Sequence, residues 1–192
     1  SMKSVTVDCH TTAVVHEGAR LAEGVQIGPH AVVGEHVSLG RDTVVGANSV
    51  LEGFTTIGER NRIFPFASVG LDPQDLKYHG EDSTLEIGND NVFREFVTIH
   101  RGTELGGGRT LIGSSNLFMA YTHIAHDCIV GDYSIFGNAA TLGGHVVVED
   151  HATDGTKALK VVFRTNGGAI HISGLPDDVS DYDSLEIDCF NT

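Results

Sequence analysis

The sequence predicts an all-β fold, a parallel β-helix made of hexapeptide repeats, from two observations. Large apolar residues recur at every sixth position, and a small or modest residue lies two positions before most of them. This spacing matches neither the 3.6-residue period of an amphipathic helix nor the two-residue alternation of a strand. A six-residue period is typical of hexapeptides that stack as three-sided coils, with roughly 18 residues in each coil.

The large apolar positions run in phase from residue 15 to 69, return between 87 and 99, and continue unbroken from 112 to 148. Glycine directly follows the large residue at several corners, where we expect a sharp turn with positive φ. These glycines are Gly28, Gly34, Gly40, Gly46, Gly58 and Gly70.

The breaks in phase define the predicted organisation. We expect the β-helix to occupy residues 1–152, with loop insertions near 71–84 and 101–110 that are rich in Gly, Pro and polar residues. Insertions on an otherwise regular solenoid usually mark its binding face.

Residues 153–192 read as an atypical C-terminal extension, because Asp154 occupies the next large apolar position. A carboxylate inside a narrow apolar coil would be costly, so the chain should leave the coil there. Residues 159–173 suggest two short strands around the Asn166-Gly167 turn. Such a hairpin could cap the open edge of the last coil.

Composition excludes several classes of function. The formal net charge of -14 argues against a nucleic-acid partner, which requires a basic surface. No apolar run reaches the roughly 18 residues of a membrane span, and no secretion signal is evident. The three cysteines are too few and scattered for a disulfide framework, and Cys128 falls at a small interior position of the repeat. We therefore expect a cytoplasmic protein.

The candidate site follows from the coil register. Residues 18 apart in an unbroken run should lie one above the other, about 4.8 Å apart. His126 should then lie beneath Gly144, with His145 and Asp127 beside it, whereas His123 should point outward.

Three interpretations of this cluster compete. His126 could be a general base, with the Gly144 N–H holding an oxyanion and Asp127 orienting the imidazole. Alternatively, His123, His126 and His145 could bind a metal, although no Cys or acidic ligand is spaced to complete the site. The histidines could also be stacked surface residues without a role.

Four segments carry a resemblance to a known family. They are Gln74–Tyr78 (QDLKY), Thr98–Gly102 (TIHRG), His123–Cys128 (HIAHDC) and Ala140–Val146 (ATLGGHV). In this order they resemble the acyl-ACP:UDP-N-acetylglucosamine O-acyltransferases of lipid A biosynthesis, and the likeness covers about residues 10–152. The resemblance implies a left-handed parallel β-helix and a homotrimer with active sites between neighbouring subunits.

The resemblance also implies the reaction and its residues. A 3-hydroxyacyl chain would pass from acyl carrier protein to the 3-hydroxyl of UDP-N-acetylglucosamine, the first step of lipid A biosynthesis, without cofactor or metal. His126 would be the general base and the Gly144 N–H the oxyanion donor. The residues implied to bind the nucleotide sugar are Gln74, Asp75, Lys77, His123 and His145.

From charge alone, Arg94, Arg101 and Arg109 could contact the acidic carrier protein. Residues 153–192 match neither the family's later coils nor its C-terminal helical domain. Two other hypotheses therefore stay open: a non-catalytic trimeric β-helix that binds or assembles, and a related hexapeptide enzyme acting on a different amine or hydroxyl.

Overall fold

A computed structural model describes residues 6–149 and the two strands at 158–165 and 184–191. These residues form strands and one 3-10 helix, η1 (Glu104–Gly106). The strands in chain order are β1 (Asp8–Cys9), β2 (Val14–Val15), β3 (Arg20–Leu21), β4 (Gln26–Ile27), β5 (Val32–Val33), β6 (Ser38–Leu39), β7 (Val44–Val45), β8 (Val50–Leu51), β9 (Phe54–Ile57), β10 (Arg62–Ile63), β11 (Ser68–Leu71), β12 (Thr84–Ile87), β13 (Val92–Phe93), β14 (Thr98–His100), β15 (Arg109–Ile112), β16 (Leu117–Phe118), β17 (His123–Ile124), β18 (Ile129–Val130), β19 (Ile135–Phe136), β20 (Thr141–Leu142), β21 (Val146–Val148), β22 (Ala158–Thr165) and β23 (Ser184–Asn191).

Every third strand of the coil joins the same sheet, which gives three parallel sheets around one axis. The orders are β1-β4-β7-β10-β13-β16-β19, β2-β5-β8-β11-β14-β17-β20 and β3-β6-β9-β12-β15-β18-β21. Within unbroken runs the register is 18 residues, as in the pairing of His123 with Thr141. The chain is therefore a left-handed parallel β-helix, as the sequence predicts.

The core is one cluster of inward-pointing side chains, to which all three sheets contribute. The period-six residues from Ile27 onward fill it, and most are fully buried. Three of them, Phe93, Phe118 and Phe136, stack with ring centroids 5.0 and 4.8 Å apart. Cys128 is also buried, and burial raises the pKa of its thiol to about 12. It is the inert interior thiol that the sequence predicts.

The prediction that the corner glycines take positive φ is wrong for all of them except Gly70. The left-handed residue lies three positions after the large apolar residue and is usually not glycine, for example Asp42 at φ 58°. The glycines are needed for another reason, namely the close passage of the next coil. A Cβ on Gly46 would lie 2.6 Å from the backbone nitrogen of Pro65.

The first insertion, residues 72–83, joins β11 to β12 and is fastened to the coil by Arg101. The Arg101 guanidinium donates to the Gly70 carbonyl at 2.6 Å, to the Asp72 carboxylate at 2.5 Å and to the Tyr78 hydroxyl at 2.9 Å. Arg101 is 7% exposed. The expectation that Arg101 contacts a carrier protein is therefore wrong, because its guanidinium is buried and bonded to Gly70, Asp72 and Tyr78.

The second insertion, residues 101–108, is a tight turn. Thr103 caps η1 by accepting a hydrogen bond from the Gly106 N–H, and Gly107 ends the helix in the left-handed region. This turn folds back over the corner that carries Asp127.

The C-terminal strand β22 lies antiparallel on the edge of β21, with Val147 opposite Val162. Its other edge pairs in parallel with β23 along its whole length. The predicted pairing of residues 159–173 as a hairpin is therefore wrong, because β23 occupies the edge that a hairpin would use. Asp154, Asn166-Gly167 and the predicted second strand lie outside the described residues.

The described residues contain no helix that is long and apolar enough to cross a membrane.

Candidate active site

His126 and Asp127 form a hydrogen-bonded pair at the corner between β17 and β18. The Nδ1 of His126 lies 2.7 Å from Asp127 Oδ2. Asp127 takes the left-handed corner conformation, with φ 60°, and this turns its side chain to the same side as the imidazole. Its carboxylate has no exposed surface, whereas the His126 side chain is 14% exposed.

The Asp127 carboxylate is ionised in this environment. Burial alone would raise its pKa, but hydrogen bonds from His126 and from the side chain and backbone of Thr103 hold the pKa below its usual range. Thr103 donates its N–H to Oδ1 at 2.8 Å and its hydroxyl to Oδ2 at 2.6 Å. An ionised carboxylate only accepts, so Nδ1 of His126 carries a proton, and in the neutral imidazole the lone pair lies on Nε2.

Gly144 lies directly against the His126 ring, as the 18-residue register predicts. A Cβ at position 144 would lie 2.5 Å from His126 Cε1 and 2.7 Å from Nε2. No acceptor for the Gly144 N–H is found among the described residues. The same hexapeptide position, two residues after the large apolar residue, holds Pro29 and Pro65 at a different corner of the coil, so the coil does not require an N–H there.

His145 is the next left-handed corner residue, with φ 66°. Its ring stands edge-on to His126 with 5.1 Å between centroids, and its Nδ1 is 3.8 Å from Asp127 Oδ2. The side chain is 44% exposed, so it is available to a bound ligand.

His123 and His100 form a second histidine pair on the adjacent sheet. His123 Nδ1 lies 2.7 Å from Thr98 Oγ1, and its ring meets His100 edge-on at 4.9 Å. Burial is the largest cause that lowers the pKa of His100, and the charges of His123, His126 and Arg101 lower it further, to about 4. Burial and His126 also lower the pKa of His123. Both imidazoles are therefore neutral at physiological pH.

The sequence-predicted residues of the first insertion lie on the same side of the coil but apart from His126. Gln74 lines an open cleft of about 550 Å³ together with His100 and Arg101. Lys77 lines a second cleft, where the first insertion meets Glu104 and Leu105 of the second. Asp75 accepts a hydrogen bond from the Lys77 N–H at 2.9 Å. No hydrogen bond or ion pair in the described part of the chain joins these three to His126.

One group of side chains has the composition of a metal site. His126, Asp127 and His145 offer one ligand atom each, all within 4.8 Å of one another. The sequence-based alternative used His123 instead, but that ring turns towards Thr98 and His100. Asp127 already accepts hydrogen bonds from Thr103 and His126, which fits an acid–base pair. Function without a metal or cofactor stays a prediction.

Sequence reasoning missed Thr103 and His100. Thr103 lies in an insertion without periodicity, so no spacing could place it against Asp127, 24 residues away. His100 had a signal, because it lies next to Ile99 at the end of a strand, one coil below the HIAHD segment.

Comparisons with known proteins identify the relatives of this chain. The family described as "Bacterial transferase hexapeptide (six repeats)" matches residues 18–53 and 109–144. The acyl-[acyl-carrier-protein]–UDP-N-acetylglucosamine O-acyltransferase of Thermodesulfovibrio yellowstonii is 48% identical over 145 residues, which cover 76% of this chain and 56% of that protein. This chain thus spans little more than half the length of that relative.

Two solved structures extend the match. LpxA from Acinetobacter baumannii is 51% identical, with a TM-score of 0.71 over 71% of this chain and 53% of that one. The UDP-N-acetylglucosamine O-acyltransferase (LpxA) of Moraxella catarrhalis is 35% identical, with a TM-score of 0.63 over 74% of this chain and 71% of that one. The chain therefore belongs to the UDP-N-acetylglucosamine O-acyltransferase family of hexapeptide-repeat proteins.

Proposed function

We propose that the protein transfers a 3-hydroxyacyl chain from acyl carrier protein to the 3-hydroxyl of UDP-N-acetylglucosamine, the first step of lipid A biosynthesis. The observation that carries the proposal is the hydrogen-bonded pair of His126 and Asp127. The Nε2 atom of His126 lies against Gly144. A base and an N–H donor side by side are what acyl transfer to a hydroxyl requires.

The steps follow from this arrangement. His126 Nε2 takes the proton of the sugar hydroxyl as that oxygen attacks the thioester carbonyl carbon. The carbonyl oxygen becomes an oxyanion, which the Gly144 N–H stabilises. When the tetrahedral intermediate collapses, the C–S bond breaks and the carrier thiolate takes the proton from Nε2. Asp127 keeps its negative charge throughout and stabilises the transient imidazolium.

The remaining groups serve binding. Lys77, Asp75 and Gln74 hold the nucleotide sugar, and His123 and His145 contact its sugar or phosphates. His123 can do so as a neutral hydrogen-bonding group, because its pKa is lowered. Arg94 and Arg109 are exposed and are the arginines left to meet the acidic carrier protein. A homotrimer and a cytoplasmic location are part of the same proposal.

The decisive experiment measures acyl transfer from 3-hydroxyacyl carrier protein to UDP-N-acetylglucosamine. Replacement His126→Ala removes the base and should lower kcat by about a hundredfold or more. The matched control, His16→Ala, changes an exposed histidine on an N-terminal coil and should leave the rate unchanged. A wild-type protein that binds the nucleotide sugar without transfer would favour the non-catalytic β-helix instead. Transfer to a different amine or hydroxyl would identify the related-enzyme alternative.

A further inference from the structure

We propose that Thr103 is a positioning residue, which holds the Asp127 carboxylate ionised and oriented so that His126 presents Nε2 to the substrate hydroxyl. The expected effect on kcat rests on the proposed function, whereas the effect on the His126 tautomer depends only on the contacts within this chain. It gives the glycine-rich second insertion a task that its sequence does not reveal.

Thr103 supplies two of the three hydrogen-bond donors of the Asp127 carboxylate, one to each oxygen. The N–H reaches Oδ1 at 2.8 Å and the hydroxyl reaches Oδ2 at 2.6 Å. His126 Nδ1 shares Oδ2 at 2.7 Å. A carboxylate held at both oxygens cannot rotate away from the imidazole, so the ring orientation is fixed as well.

The direction of the threonine hydroxyl follows from its other contact. Thr103 Oγ1 accepts a hydrogen bond from the Gly106 N–H at 3.2 Å, within the cap of η1. Its proton is then available to Asp127. Because the hydroxyl and the backbone both donate, the carboxylate must act as an acceptor, and the tautomer of His126 follows from this.

The insertion also closes over Asp127. Thr103 is 3% exposed, and a Cβ at position 106 would collide with the Asp127 carboxylate. Only glycine permits this approach, which leaves no room for water around the carboxylate. From the other side, Thr110 Oγ1 accepts the Asp127 N–H at 2.9 Å. The loss of the Thr103 hydroxyl therefore cannot be compensated by solvent.

The kinetic test compares Thr103→Val, Thr103→Ala and Thr103→Ser in the transfer assay. The Val and Ala variants should lose about ten- to a hundredfold in kcat, the usual effect of one charge-assisted hydrogen bond, with KM changed less than about twofold. The acid limb of the kcat/KM profile should move to higher pH, because a carboxylate with fewer donors is more basic and favours the protonated form of the His126 base more strongly. Thr103→Ser keeps the hydroxyl and should restore both.

Thr43→Val is the matched control. Thr43 is a fully buried threonine on an early coil whose hydroxyl donates to the Gly58 carbonyl at 2.8 Å. Its replacement should lower the melting temperature in the same way as Thr103→Val, without moving the pH profile. A Thr103→Ser variant as impaired as the Val and Ala variants would overturn the proposal, because the hydroxyl would then not be the cause.

A second readout does not need turnover. In ¹⁵N-histidine NMR at neutral pH, His126 (identified by its loss in His126→Gln) should be the Nδ1–H tautomer in the wild type and a mixture in Thr103→Val. If the tautomer shifts in this way but the wild type transfers no acyl group, the proposed function fails and the positioning role stands. If neither the nitrogen shifts nor the pH profile differ from the wild type, the positioning role is refuted.

Discussion

Histidines near the Asp127 carboxylate differ in what surrounds them, and this separates their chemistry. His126 has a buried carboxylate as hydrogen-bond partner, whereas the Nδ1 of His100 is buried without any partner in the described residues. A buried imidazole without a hydrogen-bond partner is destabilised in its protonated form. His100 therefore provides a neutral neighbour for His123, and His126 is the proposed base.

The neutral state of His100 predicts a pH-dependent stability. Its pKa is about 4 in the native protein and near 6.5 in the unfolded chain, so between these values only the unfolded chain binds the proton. The free energy of unfolding should be undiminished above about pH 6.5 and should fall by about 3 kcal/mol as the pH decreases to 4. Replacement His100→Phe removes this proton uptake, and urea unfolding at pH 7 and 4.5 measures the difference.

Between pH 7 and pH 4.5 the free energy of unfolding should fall in the wild type. In His100→Phe this fall should be smaller by about 2 to 3 kcal/mol. The exposed His36 serves as control, because His36→Phe should keep the wild-type pH dependence. Equal pH dependence in all three proteins would show that His100 is not the group responsible.

At the scale of elements, the strands and the positions of the two insertions were predictable, but the contacts that the insertions make were not. A six-residue period fixes which side chains face inward and which residues stack, so the contact between His126 and Gly144 follows from counting. Insertions have no period. Arg101 reaches Asp72, 29 residues away, and no local pattern in the sequence encodes that contact.

The Arg101 contacts predict that this one side chain controls the order of the first insertion. Replacement Arg101→Met keeps much of the volume but removes the hydrogen bonds to Gly70, Asp72 and Tyr78. Amide hydrogen exchange over residues 72–83 should accelerate by about tenfold or more, with smaller changes in the coil. Affinity for UDP-N-acetylglucosamine, the proposed acceptor, should fall as well, since Lys77 and Gln74, which are proposed to bind it, lie in this segment.

The exposed Arg41 offers a control of the same chemistry, and Arg41→Met should leave exchange over residues 72–83 unchanged. Wild-type exchange rates in Arg101→Met would mean that the insertion is ordered by its other contacts, such as the hydrogen bond from the Tyr78 hydroxyl to the Glu81 carbonyl.

For the whole molecule, stacking is what turns distant segments into one site. Thr103, His126-Asp127 and Gly144-His145 come from an insertion and two successive coils. Their spacing is set by the strand separation of a sheet, about 4.8 Å, which side-chain changes at the surface do not alter. A solenoid can therefore hold a base and an oxyanion donor at a fixed distance, provided that its last coil stays intact.

The last coil depends on what covers its edge, because β21 would otherwise present unpaired backbone groups. Strand β22 lies antiparallel on β21, and β23 extends the same sheet. A chain that ends at Glu149 should therefore aggregate, and its melting temperature should fall, as followed by light scattering during heating. Adding Val147→Lys to the shortened chain should reduce the aggregation, because a lysine on an exposed edge strand discourages pairing with other chains. A shortened protein that stays monodisperse with the full-length melting temperature would show that β22 does not protect the coil.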